Sequence, residues 1–237
     1  MQSSMSFNEN YENLNDEYKK IDGIELDDNT KKRVIQIIDK IRENDFPNEN
    51  ERGKILERLI VEILEGTKIF RVLQNENTSS NEFDVVVLLN MYGKKLRRDR
   101  IIPEWMPDRI IFECKNYKDP VKVDYLGKFY SLMITSKIYL GIFVSKVGVT
   151  GKRNKDKKIE RYWKDSMAFI HKVNLKHSDS LNSFGLLDLE LDDIEIVTKE
   201  GSNIIDIIDI RKFQIDTDIS NEINEWISPH ENEGKIK

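Results

Sequence analysis

One cysteine, Cys114, in 237 residues leaves no partner for a disulfide within the chain and no second thiolate for a cysteine zinc site. It agrees with a reducing compartment. No apolar run is long enough to cross a bilayer, and the opening MQSSMSFNENYENLNDEYKK lacks the basic start and apolar stretch of a signal peptide. The expected location is the cytoplasm, with no membrane partner. Internal repeats are absent, and so is a complete glycine-rich phosphate loop: VGVTGK lacks the spacing and follows no other nucleotide signature. Overall positive charge is lacking too, since the net charge of −5 taken alone argues against a nucleic-acid partner.

What is present changes that last reading. Hydrophobic residues make up 38% and charged ones 34%, with three tryptophans, which is the composition of a folded soluble protein, and 237 residues suffice for one substantial core. The charges are segregated. Residues 1 to 30 carry eight acids against two bases, and residues 188 to 225 carry twelve acids against three bases. In between, KKLRRDR at 94 to 100 has five bases and one acid, and 146 to 164 has eight bases and two acids. A basic middle between acidic flanks suits a polyanion-binding surface, and it equally suits solvated loops unless chemistry falls beside it.

Periodicity supplies the elements. A helix is expected over 28–44, with Val34, Ile37, Ile38 and Ile41 on one side, ending at DFPNEN. A second is expected over 52–65 with a broad apolar stripe and Gly66 as its C-cap. KIFRVLQ reads as a short strand, NENTSS as a turn, FDVVVLLN as a near-continuous apolar strand and KKLRRDR as a basic loop. RIIFECKN is again a strand, residues 123–136 a helix with Asp124 near its start, and KIYLGIFVSKV a third strong strand. Strands this apolar are buried on both faces, so helices are expected on both sides of one mixed sheet containing 83–89, 109–115 and 138–144. Beyond it, KKIERYWKDSMAFIHKV is helix-like, LNSFGLLDLELDDIEIV is strand-like at its start, and IIDIIDIRKFQI reads as either helix or strand.

A carboxylate and an ammonium interrupt the strand IIFECK. Residues two apart on a strand share a face, so Glu113 and Lys115 emerge together while Cys114 turns to the other side as a small core residue. Asp84 opens the preceding apolar strand, and pairing of the two strands brings its carboxylate within reach of Glu113. Two close carboxylates repel unless a cation lies between them. Their hard oxygens suit Mg²⁺, with Mn²⁺ as a substitute, and Lys115 beside them can orient an attacking water and meet developing phosphate charge. Such a set hydrolyses phosphodiesters. Each residue alone also reads blandly: a solvated acid at a strand end, a surface ion pair, or, for Glu57, a solvated helix residue off the main stripe.

Taken together, Gly53-Lys-Ile-Leu-Glu57, then Glu82-Phe-Asp84 at the head of an apolar strand, then Phe112-Glu-Cys-Lys115, resemble the PD-(D/E)xK nuclease superfamily and, within it, the Mrr-like restriction endonucleases. The resemblance covers roughly residues 50 to 150. It implies an α/β fold with a restriction-endonuclease-like core of helix, three strands, helix and strand. It also implies Asp84 and Glu113 as metal ligands assisted by Glu57, and Lys115 as the catalytic lysine. Glu82 stands where Mrr-like enzymes usually carry glycine, and Glu113 where many carry glutamine; the second departure returns to the broader nuclease pattern. On this reading residues 1–27 form a mobile or peripheral arm, 28–175 the core with its preceding helix, and 176–237 an extension packed on or beside the core.

The expected activity is an Mg²⁺-dependent endonuclease acting on DNA. Lys118, Lys122, Lys152, Arg153, Lys155, Lys157 and Lys158 are the candidate phosphate contacts, and Arg97, Arg98 and Arg100 the candidates for reaching a groove. One such centre cuts one strand, so double-strand cleavage calls for a symmetric homodimer. The apolar faces of 28–44 and of the C-terminal region serve either that dimer or the flank of the sheet. The alternative is a non-catalytic or partner-dependent DNA-binding subunit of a defence, restriction or DNA-processing complex.

Overall fold

The computed structural model describes residues 23–44, 46–77, 82–151, 165–177 and 185–217. In chain order its elements are α1 (Asp28–Glu43), α2 (Glu49–Gly66), β1 (Phe70–Asn77), β2 (Glu82–Leu89), α3 (Met91–Arg98), β3 (Arg109–Lys115), α4 (Val123–Thr135), β4 (Leu140–Ser145), α5 (Ser166–His177), β5 (Gly185–Glu190), α6 (Leu191–Glu195) with a 3₁₀ turn at Ile196–Thr198, and α7 (Ile204–Thr217). The strands form one mixed sheet in the order β1-β2-β3-β4-β5. The first three run antiparallel to their neighbours, and β3, β4 and β5 run parallel. The three expected strands lie in this sheet. Among the described residues no helix is long and apolar enough to cross a membrane.

Helices flank the sheet, but β2, expected to be buried on both faces, is fully buried only at alternate residues, Phe83, Val85, Val87 and Leu89. α2 lies against β1, β2 and β3, while α4 lies against β4, and α5 and α7 against β5. All six residues of β4 are buried, which only a strand covered on both faces achieves. Phe143 of β4 and Asp188 of β5 are register partners. On their shared face Phe143 meets the ring of Phe129 on α4, and Asp188 takes Arg211 of α7 at 2.6 Å.

Local chemistry explains the helix ends. Asp27 caps α1 by accepting the Thr30 N–H at 2.8 Å, and Asn48 caps α2 by accepting the Glu51 N–H at 2.9 Å. Gly66 does not serve as the expected C-cap. It is the last residue of α2, and a Cβ there would lie 2.8 Å from Leu26 and Thr30 side-chain atoms, so close packing requires it. The left-handed residue after the helix is Lys68, at φ 51°.

Three other expectations change. The basic segment expected as a loop begins inside a helix, α3, capped by Asn90 and seated through buried Gly93 and Leu96. The near end of the proposed arm belongs to the core, since Ile24 and Leu26 are buried and Asp27 caps α1; residues 1–22 lie outside the described part. The C-terminal region does more than pack beside the core, because β5 is a strand of the sheet and α7 covers it. IIDIIDIRKFQI is helical, and its apolar stripe is broken by Arg211 and Gln214, both buried. Arg42 of α1 joins this region from the other side, bonding Glu195 at 2.7 Å and Asp192 at 2.8 Å.

Candidate active site

The β2–β3 ladder runs from Leu88–Arg109 to Val85–Phe112 and then stops. The next residues along, Asp84 and Glu113, sit at its mouth. There the Cys114 backbone N–H donates to Asp84 Oδ2 at 2.8 Å, a bond that a strand carbonyl takes inside a ladder. Main chain therefore positions the aspartate. Lys115 Nζ stands 2.7 Å from Glu113 Oε1 and 3.4 Å from Asp84 Oδ2, and the Asp84, Glu113 and Lys115 side chains are only 18, 17 and 24% exposed. Cys114 is buried on the other face of the strand, as alternation requires.

Glu57 reaches the same place from α2. Asn116, buried just after β3, donates through Nδ2 to the Arg52 carbonyl at 2.9 Å and so ties the first turn of α2 to the end of β3. Glu57 follows little more than one turn later. Burial, and then the charge of Asp84, push its carboxyl up to about 7. Burial likewise raises Glu113, with Asp84 adding to the effect and Lys115 opposing it. For Lys115, burial disfavours the charge, but the Glu113 and Asp84 carboxylates outweigh it and hold the ammonium above the ordinary lysine range. Three acids and one lysine thus share a partly dry site, and the lysine is firmly charged. This is not the exposed ion pair of the bland reading.

The donors suit a hard divalent cation: oxygens only, negative charge in excess, and two of the carboxylates raised by their surroundings. Among the described residues, however, no three His, Cys, Asp or Glu side chains are arranged as a metal-holding group, and the Lys115 ammonium lies between Asp84 and Glu113. The chemistry of the donor set fits Mg²⁺ or Mn²⁺, with Asp84 and Glu113 as the residues that would hold it and Glu57 beside them.

The basic candidates separate. Lys118 and Lys122 are exposed in the connection that leaves Lys115, at the carboxylate end of the sheet. Arg97, Arg98 and Arg100 are not at that end. They follow β2 where it leaves the sheet, about 17 Å along the strand from Asp84 at about 3.3 Å per residue. Arg97 is also occupied, donating to the Met106 carbonyl at 2.7 Å and pairing with Asp108, while Arg100 pairs with Glu104 at 3.1 Å. Lys152, Arg153, Lys155, Lys157 and Lys158 lie outside the described residues.

Sequence reasoning passed over four cations at the site. Lys54 acts on the charge of Glu57 and Lys128 on that of Glu113. Lys146 donates to the Ile41 carbonyl at 2.6 Å, and burial, then Lys118 and Arg52, lower its pKa, which puts these three cations together. Lys54 had a legible signal, its helical phase relative to Glu57. Arg52 and Lys146 had none, because only the packing of α1 and α2 over the strand ends assembles them. Comparison with protein-family models, with curated proteins and with solved structures finds no match to the chain.

Proposed function

We propose that the chain is a divalent-metal-dependent nuclease that hydrolyses phosphodiester bonds in DNA, built on a restriction-endonuclease-like core and working in the cytoplasm. The observation that carries this is the convergence of Glu57, Asp84, Glu113 and Lys115 from one helix and two strands into a single partly buried cluster. The order α2, β1, β2, β3, α4, β4, with α3 inserted between β2 and β3, supports the fold assignment, since the resemblance implies helix, three strands, helix and strand.

When bound, a divalent cation supplies charge neutralisation to a phosphate and acidifies water. The chain's residues do the rest. Asp84, held by the Cys114 N–H, presents a carboxylate whose position costs no reorganisation. Lys115 remains an ammonium donor near neutral pH and can hold a water or a phosphate oxygen against Glu113, where positive charge is most valuable as negative charge develops. Glu57, titrating near neutrality, can accept a proton from that water. Lys118, Lys122 and Lys128 provide phosphate contacts at the same end of the sheet.

One observation favours a second reading. The Lys115 ammonium lies between Asp84 and Glu113 and partly compensates them without a metal, as a non-catalytic or partner-dependent DNA-binding subunit would require. Supercoiled plasmid, linear duplex, single-stranded DNA and RNA, incubated with and without Mg²⁺ or Mn²⁺, decide between the two. Cleavage that needs the metal and falls about 100-fold or more in Lys115→Ala, with binding kept, is the expected result. Wild type inert on every substrate, or Lys115→Ala cutting at the wild-type rate, refutes the enzyme reading.

A further inference from the structure

Beside the carboxylates stands a pair of aromatic rings that the chemistry above does not use. Tyr117 is two residues past Lys115, packed against the core, and lies in the electrostatic field of both Lys115 and Glu113. Tyr125, in the first turn of α4, brings its ring centroid to 5.4 Å from that of Tyr117 with the planes at 63°, an edge-on contact. Burial, and then the neighbouring Tyr125, raise the Tyr117 phenol. Tyr117 is therefore anchored, and it braces a neighbour whose surface is 43% exposed. Exposed large aromatics are usually mobile, whereas this one is held in place at the mouth of a charged site.

Lysines surround it, together with one exposed acid, Asp124. Lys128 lies one helical turn beyond Tyr125 and acts on Glu113, and Lys122 is exposed at the start of the same helix. Braced aromatic surface interleaved with lysines is what contacts unpaired nucleotides: every base has a face to stack, and the lysines follow the backbone. A regular duplex offers no free base face to such a ring. We propose that Tyr125, braced by Tyr117, stacks on an unpaired base next to the target phosphate, so that the preferred substrate is single-stranded or locally unpaired nucleic acid. This rests on the nucleic-acid reading of the site for its class of ligand, and not on the site being catalytic.

The test is binding of a short single-stranded oligonucleotide carrying 2-aminopurine, and of the matching duplex, with Ca²⁺ as the divalent ion. Wild type should prefer the single strand and quench its fluorescence. Tyr125→Ala should weaken single-strand binding about fivefold or more, leave duplex binding unchanged and lose the quench, while Tyr125→Phe keeps all three. Because the side chain is half exposed, loss of the ring contact in Tyr125→Ala should lower the unfolding midpoint by no more than a few degrees, and Tyr125→Phe, which keeps that contact, guards against a general loss of fold. Equal single-strand affinity in Tyr125→Ala, a parallel loss on both substrates, or no single-strand binding by wild type overturns the inference. Tyr125-dependent binding without any cleavage in Mg²⁺ or Mn²⁺ refutes the nuclease reading alone. Metal-dependent duplex cleavage untouched by Tyr125→Ala, with unchanged single-strand binding, refutes this inference alone.

Discussion

Replacing Glu57 by glutamine should make the protein more stable at pH 8 and weaken its response to metal. The folded chain lifts this carboxyl from 4.5 to about 7, through burial and the charge of Asp84. Folded protein therefore holds a proton there that unfolded protein has released. Stability from this group is complete below about pH 4.5 and is lost as pH rises through about 7. At about 1.36 kcal/mol per pH unit the displacement sets a ceiling of about 3 kcal/mol, which solvent at the incompletely buried carboxyl reduces to about 1–2 kcal/mol. Glutamine keeps the shape and removes the charge. Urea denaturation in EDTA should show Glu57→Gln matching wild type near pH 4.5 and exceeding it by about 1–2 kcal/mol at pH 8. Adding Mg²⁺ or Mn²⁺ should narrow or reverse the gap, because a ligand that binds only the folded state stabilises the protein that holds it better. A variant no more stable than wild type at pH 8, or a gap independent of pH, would refute the account of a strained acid beside Asp84.

Glycine to alanine should have opposite signs in two helices. At Gly53 a Cβ meets nothing within 4 Å, so Gly53→Ala should stabilise by about 0.5–1 kcal/mol and raise the melting midpoint by a few degrees. At Gly93 it would lie 2.6 Å from the Ile69 carbonyl oxygen, so Gly93→Ala should destabilise by about 1–3 kcal/mol in calorimetry, and a neutral result would mean that α3 is free to shift. Arg211→Leu leaves the Asp188 carboxylate, 0% exposed, without its 2.6 Å partner, and should cost about 3–5 kcal/mol by denaturant titration. Asp188→Asn in the same chain should recover part of that loss, and no recovery would show that Arg211 acts through packing alone.

The residue order by itself determined the local chemistry. Alternation put Glu113 and Lys115 on one face of a strand and Cys114 on the other, and the unbroken apolar run of β4 required cover on both sides. These signals survive in sequence because they depend on neighbours two to four residues apart. Where a local pattern was too short or interrupted, the reading faltered for a physical reason: α3 buries only Gly93 and Leu96, too short an apolar stripe for a period to show, and α7 buries Arg211 in its apolar stripe because Asp188, on another element, neutralises it. Only the tertiary structure decided where the β2–β3 ladder ends, and that ending frees the Cys114 N–H for Asp84. It also swung α2 onto Asn116 so that Glu57 joins the acids, and sent Arg97 and Arg98 to the opposite end of the sheet. Strand register, helix docking and the direction in which a connection leaves a sheet depend on packing between segments distant in sequence, and no window along the chain records them.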